Sequence, residues 1–236
     1  MLHRSSSPRS SSSSVLDRQL AAVQVHPAGC FKADPFCEAN AALMYRGSDI
    51  ITAMHTRALL RLLDGRQPHM QLLYSGKRDG MTAADFHRLC DGKGPTLTVI
   101  RTRPSDGSTD GRIIGGWAGE SWSSSNKAYA ASTWLFSLGV ADAAGAPTCV
   151  SKYCALSTAA DQVISSHSKH GPAFGPNGYG LRVSNFMTEQ YNSAHLQGYQ
   201  LAAGYTAYAG DHIGGALYFA IGAIEVWTCP LPAQKA

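Results

Sequence analysis

The sequence predicts a mainly β fold with flanking helices, in which a two-sheet antiparallel β-sandwich packs against two α-helices. Two amphipathic helix patterns come early in the chain, and many short strand patterns separated by glycine-containing turns follow them. Parallel sheets require helical crossovers between their strands, which would appear as a regular alternation of strand and helix patterns. No such alternation occurs in this sequence. Helices grouped before a run of short strands therefore favour antiparallel sheets packed face to face.

The first helix pattern follows residue 47. Apolar side chains recur at helical spacing from Ile51 to Leu62, which defines one buried face. Ser48 or Asp49 is predicted to cap this helix, because short polar side chains accept hydrogen bonds from the first free backbone amides. His55 lies near the apolar face, where a single histidine is more often packed and hydrogen-bonded than a metal ligand.

The second helix has strong local signals at both ends. Thr82 is the predicted N-cap, and Asp85 stands three residues later in the position of a capping box. Met81 and Phe86 take the two positions of a hydrophobic staple. Gly92 stands where a left-handed glycine commonly ends a helix.

This second helix also carries a histidine and a cysteine, His87 and Cys90, three residues apart. A catalytic thiol needs a thiolate beside a base or cation in a partly exposed site, so the pair is a candidate nucleophile and base. The spacing places Cys90 on the apolar face with Phe86 and Leu89, which favours a core cysteine. His87 lies at the edge of that face. The stretch after it, DGKGPT, lacks the spacing of a phosphate-binding loop.

The strand patterns fill the rest of the chain. Residues 96–101 and 112–119 are predicted to form a hairpin with a long loop, and residues 133–138 a strand covered on both faces. Residues 216–229 give the clearest strand signal. The phase of their apolar residues changes beside Gly222, which indicates a β-bulge there.

Glu225 interrupts the apolar pattern of this last strand. Glu225 and Trp227 are predicted to face away from Ile224 and Val226, since side chains alternate along a strand. The carboxylate either points outward from a half-exposed strand or belongs to a site. A glycine- and proline-rich loop at residues 170–180 could close over a ligand at such a site, or it could be an ordered connection.

Charge and hydropathy exclude two classes of protein. The net charge is +4, and residues 1–20 hold three arginines against one aspartate, which accounts for +2 of it. The remaining chain shows no basic stripe, so nucleic-acid binding is not predicted. No apolar run approaches the ~18 residues that a membrane-spanning helix needs, so no transmembrane segment is predicted.

The cysteine pattern predicts neither a metal site nor a cofactor. Six cysteines occur without any CxxC pair, and a chain of this length does not need disulfides, so reduced thiols are expected. His26, Cys30 and Cys37 come closest to a ligand set. Their spacing is not a standard zinc arrangement, and a fourth ligand is missing.

The chain is predicted to divide into a Ser-rich disordered tail at residues 1–14, a connecting segment at 15–47, one folded domain at 48–230 and a short tail at 231–236. The first residues have no apolar signal-peptide core, which predicts an intracellular, cytoplasmic protein. The same Ser- and Arg-rich composition is also compatible with organelle targeting.

Five stretches occur in a characteristic order: LLYSGKRDGMTAADFHRLCDGKGPTLTVIR, RIIGGWAGESWSSS, TWLFSL, HGPAFGPNGYGLRV and AIEVW. Together they resemble the TLDc domain family over most of the chain. The residues that carry the family motifs are Gly115, Gly116, Trp117, Phe174, Gly175, Glu225 and Trp227. The resemblance implies a two-sheet β-sandwich flanked by helices, in agreement with the strand and helix patterns.

The resemblance also implies a function. Members of the family are associated with protection against oxidative stress, several bind the vacuolar proton-pumping ATPase (V-ATPase), and no agreed catalytic machinery comes with them. The leading hypothesis is a non-enzymatic domain that binds a protein partner, with a V-ATPase subunit as the candidate. Two alternatives stay open: a hydrolytic or redox enzyme that uses His87 with Cys90 or a site at Glu225, and a structural subunit of a larger assembly.

Overall fold

A computed structural model describes most of the chain after residue 43. Within these ranges it forms three α-helices and twelve β-strands, which confirms a mainly β fold with few helices. The predicted tails and the His26, Cys30 and Cys37 pattern lie outside the described residues. None of the helices described is long and apolar enough to cross a membrane. The described residues are 44–63, 70–103, 111–140, 147, 149–156, 163–205 and 213–228.

The helices are α1 (Ala53–Leu62), α2 (Gly76–Asp79) and α3 (Ala83–Cys90). The predicted caps of α1, Ser48 and Asp49, are wrong, because the N-cap is Thr52. The Thr52 hydroxyl accepts a hydrogen bond from the His55 backbone N–H at 3.3 Å, and His55 Nδ1 accepts one from the Thr52 backbone N–H at 3.2 Å. This reciprocal pair is a capping box in which histidine takes the usual position of glutamate or glutamine.

The predicted ends of α3 are confirmed. Thr82 is its N-cap, and its hydroxyl accepts a hydrogen bond from the Asp85 backbone N–H at 3.3 Å. Gly92 takes a φ of +70°, the left-handed conformation expected of a glycine after a helix. Phe86 and Cys90 have no exposed surface, as the apolar pattern of the helix predicts.

All pairings between the strands are antiparallel. The hydrogen-bonded order is β11-β6-β5-β3-β2-β12-β10-β9-β8-β7-β4, and β1 also pairs with β12. Because one series of hydrogen bonds joins the strands, the predicted division into two sheets is not confirmed. The strands are β1 (Gln71–Ser75), β2 (Thr96–Arg103), β3 (Ile113–Ala118), β4 (Lys127–Ala130), β5 (Thr133–Gly139), β6 (Ser151–Ala155), β7 (Val163–Ser166), β8 (Ala173–Phe174), β9 (Leu181–Arg182), β10 (Asn192–Ser193), β11 (Tyr199–Leu201) and β12 (Tyr218–Thr228).

Strand β12 connects the two halves of this series. Its first two residues pair with β10, and its later residues pair with β2 on one side and with β1 on the other. The register against β2 shifts between Ile221 and Ala223, so the bulge predicted at Gly222 is confirmed. The predicted hairpin is confirmed as well, since β2 and β3 pair along their length.

The central strands are buried on both faces. On one face, here called the α1 face, α1 and the residues before it form a core with Leu97, Val99, Phe136 and Trp227. On the other, the α3 face, the core joins α3 side chains to strand residues that include Ile224, Val226 and Phe174. The predicted alternation along β12 is therefore confirmed, with Trp227 on one face and Ile224 and Val226 on the other.

Candidate functional site

Glu225 lies on the α1 face of β12 and is 1% exposed, so the interpretation of an outward-facing carboxylate is wrong. Its Oε2 accepts hydrogen bonds from Ser48 Oγ at 2.5 Å and from Trp227 Nε1 at 3.1 Å. Its Oε1 accepts one from the Asp49 backbone N–H at 2.7 Å. Three donors that converge on a buried carboxylate compensate its loss of hydration. Glu225 thereby fixes the segment that leads into α1.

Ser48 shows why the sequence placed the helix start too early. Its hydroxyl donates to Glu225 and accepts from the backbone N–H groups of Ile50 at 3.1 Å and Ile51 at 2.7 Å. Serine at a turn bonds to backbone amides two or three residues later, which is also what an N-cap serine does. A turn serine and an N-cap serine therefore have the same local hydrogen-bond pattern. The additional bond from Ser48 to Glu225 identifies Ser48 as a turn residue.

Cys90 lies on the α3 face with no exposed surface. Burial raises the pKa of its thiol well above the ordinary value, and the negative charge of neighbouring Asp91 raises it further. The thiolate that nucleophilic or redox chemistry requires is therefore strongly disfavoured in the folded chain. Glu225 lies on the opposite face of β12, so the central sheet separates these two candidate residues.

His87 is 7% exposed, and its ring is bonded to groups other than Cys90. Its Nδ1 lies 2.7 Å from Asp91 Oδ1, and its Nε2 lies 2.9 Å from the carbonyl oxygen of His170 and 3.1 Å from that of His167. The second oxygen of Asp91 accepts a hydrogen bond from Ser124 Oγ at 2.7 Å. Both ring nitrogens of His87 face acceptors, and these contacts tie α3 to the loop around residues 167–170.

The glycine pair of the family motif is explained by packing. A Cβ atom at Gly115 would lie 2.0 Å from the Thr98 carbonyl oxygen. At Gly116, on the α3 face, it would lie 2.7 Å from Leu135 Cδ2 and 2.9 Å from Phe174 Cζ. These separations are shorter than the contact distances of non-bonded atoms, so β3 needs glycine at both positions for its neighbours to pack closely.

The aromatic motif residues also contribute to packing. Phe174 and Trp227 are buried, and the Trp227 ring meets Tyr45 edge to face at a centroid distance of 5.1 Å. Trp117 is half-buried and stacks on Trp134 at 6.3 Å. Six of the seven motif residues are buried, and Trp117 retains some exposed surface. The buried residues are Gly115, Gly116, Phe174, Gly175, Glu225 and Trp227.

The described part of the chain brings no group of three or more His, Cys, Asp or Glu side chains together in an arrangement that could hold a metal ion. The pattern of His26, Cys30 and Cys37 lies outside that part. The candidate residues of the sequence thus divide into a buried carboxylate on one face of the sheet and a buried thiol with its neighbouring histidine on the other.

An exposed aromatic surface was not predicted from the sequence. We call it the Tyr218 surface and define it by Tyr179, Arg182, His195 and Tyr218, together with the fully buried Ser193. Tyr179 is 40% exposed and Tyr218 is 52% exposed, and the His195 ring meets both edge to face at 5.6 and 6.3 Å. The guanidinium of Arg182 lies 5.9 Å from the centre of the Tyr179 ring. Sequence reasoning missed it, because the strands that carry Arg182 and Ser193 are two residues long each, too short for a periodic pattern.

Comparison with models of known protein families identifies the domain. The sequence model of the TLDc domain matches residues 44–230. That range contains all of the helices and strands described above, as well as the GGW and EVW motifs. No curated protein matches the sequence. Since the domain match covers most of the chain, the protein belongs to the TLDc domain family.

Proposed function

We propose that this chain is a protein-interaction domain of the TLDc type and that it acts without catalysis. The observation that carries the proposal is the engagement of every candidate catalytic residue in structural contacts. His87 holds a loop, Glu225 holds the entry to α1, and Cys90 is packed in the core. A residue that is buried and fully bonded within the fold is unavailable to a substrate unless the fold opens.

The enzymatic alternative has less support from the same residues. A reactive cysteine is partly exposed and lies near a positive charge that stabilises its thiolate. Cys90 is buried with a raised pKa, and the hydrogen bonds of His87 go to Asp91 and to two carbonyl groups. The carboxylate of Glu225 is similarly occupied by its three donors.

We infer that the partner is a subunit of the V-ATPase and that the domain contributes to protection against oxidative stress. Both parts of this inference come from the TLDc family, whose members are associated with these roles. Exposed aromatic side chains on the Tyr218 surface support a binding role, because tyrosine is enriched where proteins bind each other. An intracellular, cytoplasmic site of action is part of the proposal.

We also propose that the series of strands folds into two packed layers. Support comes from Phe174 of β8, which lies against Gly116 of β3 although four strands, β2, β12, β10 and β9, separate β3 from β8 in the hydrogen-bonded order. Such a contact requires the β8 region to lie over the α3 face of the central strands. This arrangement matches the sandwich that the sequence predicts.

The interaction is tested by capture with purified components. The tagged chain is immobilised and incubated with individual V-ATPase subunits of the peripheral stalk and the catalytic sector. We expect at least one subunit to be retained and to be displaced by excess untagged chain. An unrelated β-sheet protein of similar size and charge serves as the control. Retention of every subunit at the control level would refute the V-ATPase partner.

A further inference from the structure

Three neighbouring strands present Arg182, Ser193 and Tyr218 at the same level of the sheet. Ser193 on β10 pairs directly with Arg182 on β9 and with Tyr218 on β12. Directly paired residues project from the same face, with Cβ atoms about 4.5–5.5 Å apart. The adjacent residues Leu181 and Phe219 point into the core, so the row of three lies on the outer face.

The middle residue of this row has an unsatisfied hydroxyl. Ser193 has no exposed surface, and within the described residues its Oγ has no hydrogen-bond partner. A buried hydroxyl without a partner is retained at a cost in stability. The adjacent Asn192 is by contrast fully used, because its side-chain NH₂ group lies 2.8–2.9 Å from three carbonyl oxygens and its Oδ1 accepts from the Ser184 backbone N–H at 2.9 Å. The Ser193 hydroxyl is therefore free to donate to an atom that a bound molecule brings.

The row consists of hydrogen-bond donors that suit a carboxylate. Arg182 offers a planar fork of N–H groups, and the hydroxyl groups of Ser193 and Tyr218 can each donate one hydrogen bond. Tyr179 packs under the guanidinium of Arg182, which restricts where that guanidinium can lie. His195 fills the space between the two tyrosine rings.

The charges around the row favour a negative partner. Arg103 pairs with Ala220, two residues beyond Tyr218 on β12, and its guanidinium donates to the carbonyl oxygen of Thr188. Arg182 contributes a second positive charge. Glu189, exposed in the loop before β10, is the acid of the described residues that lies closest to this surface in sequence. Among the described residues, two arginines thus stand against one exposed carboxylate near this row, which favours a negatively charged partner.

We propose that the Tyr218 surface binds an acidic segment of a partner protein, and this inference rests on the proposed interaction function. A glutamate or aspartate side chain of the partner enters between Arg182 and Tyr218 and accepts hydrogen bonds from both and from Ser193. The two flanking side chains move apart to admit it, as side chains commonly do at interfaces. Apolar residues of the segment cover the exposed rings of Tyr179 and Tyr218.

The test measures fluorescence anisotropy of a fluorescein-labelled peptide of alternating glutamate and leucine. A peptide with glutamine in place of each glutamate is the matched control. We expect the glutamate peptide to bind more tightly, and to bind more weakly as salt screens the charges. Arg182→Gln should weaken its binding by roughly tenfold, since it removes a charge-assisted hydrogen bond. Arg88→Gln, which removes an exposed charge from α3, should leave binding unchanged.

Ser193→Ala separates a binding role from a structural one. The change removes an unpaired hydroxyl from the folded chain, so we expect thermal stability to stay constant or to rise. Binding of the glutamate peptide should nevertheless fall by roughly fivefold, because the carboxylate loses one donor. Unchanged affinity in Ser193→Ala, or equal affinity for the two peptides, would overturn the proposal.

Two further arms distinguish this inference from the proposed function. If wild type and Arg182→Gln retain a V-ATPase subunit equally, the interaction function stands and the assignment to this surface fails. If the wild type retains no subunit but binds the glutamate peptide through Arg182, the surface stands and the V-ATPase partner fails. Vesicles of equal parts phosphatidylserine and phosphatidylcholine form the last arm. Arg182-dependent vesicle binding without peptide binding would assign the surface to lipid and overturn the proposal.

Discussion

A buried polar group lies near each end of strand β12: the Glu225 carboxylate and the hydroxyl of Ser193, which is on the paired strand β10. The two groups differ in their hydrogen bonding. Near the C-terminal end, Glu225 is 1% exposed and accepts three hydrogen bonds. Near the N-terminal end, Tyr218 pairs with Ser193, whose hydroxyl is equally buried and has no partner among the described residues. The two groups are buried to the same degree, but the carboxylate has three hydrogen-bond partners and the hydroxyl has none within the described residues.

This difference separates a polar group that maintains the fold from one that is available for binding. The Glu225 carboxylate joins β12 to Ser48 and Asp49, which are 177 and 176 residues away in sequence. Such a contact can hold a helix entry that has weak local signals. The Ser193 hydroxyl stabilises nothing in the described fold, and an unpaired buried group is retained at a cost in stability.

The largest effect is expected when the Glu225 carboxylate is removed. Glu225→Ala leaves the Ser48 hydroxyl, the Asp49 amide and the Trp227 indole without their acceptor. We expect the free energy of unfolding, measured by urea denaturation, to fall by about 3–5 kcal/mol. Glu120→Ala, which removes an exposed carboxylate, should change it by less than ~0.5 kcal/mol. Equal losses in the two variants would show that Glu225 is not an anchor.

A smaller effect is expected at Gly115, which lies in the same cross-strand row as Glu225. Glu225 pairs with Val99, and Val99 pairs with Gly115 on β3. Gly115→Ala would place a methyl group 2.0 Å from the Thr98 carbonyl oxygen, so the strands must separate. We expect the free energy of unfolding to fall by about 2–3 kcal/mol in urea denaturation.

The matched control is Gly222→Ala at the bulge of β12. There the nearest atom to a new Cβ, the Arg101 carbonyl oxygen, would lie 3.5 Å away, an ordinary contact. Alanine also restricts the unfolded chain, so stability should change by less than ~1 kcal/mol. A similar loss at both glycines would mean that close packing at Gly115 is not the reason for the glycine.

The parts of the fold that follow from neighbouring residues could be predicted from the sequence. Thr82, Asp85 and Gly92 predict the ends of α3, because capping depends on side chains within one turn of the helix. Gly222 predicts the bulge of β12, because a bulge changes the phase of the apolar pattern along one strand.

The parts that depend on distant residues could not be predicted. The start of α1 was placed too early, because the hydroxyl of Ser48 bonds to Glu225 at the far end of the chain. The Tyr218 surface was missed because β9 and β10 are two residues long each. Strands this short show no periodicity, and their pairing is set by the packing around them.

The smallest expected effect tests how far the α1 face depends on the protonation of His55. Burial lowers the pKa of His55 below its ordinary value of 6.5, and the positive charge of Arg101 also lowers it. The unfolded chain therefore binds more protons than the folded chain as the pH falls through 6.5, so acid destabilises the fold. Protonation also removes the Nδ1 lone pair that accepts from the Thr52 amide.

His55→Gln removes this titration and keeps the capping box, since glutamine is a usual residue at that position. We expect its unfolding free energy at about pH 7.5 to remain within ~1 kcal/mol of the wild type, and its loss between about pH 7.5 and 5.5 to be smaller. Some loss will persist, because burial also lowers the pKa of His170. Thr82→Ala is the matched control: it removes the N-cap hydroxyl of α3, which is bonded to Asp85, and weakens that cap by about 1 kcal/mol at both pH values. An acid-induced loss in His55→Gln as large as in the wild type would assign the acid sensitivity to other groups and leave His55 with a capping role alone.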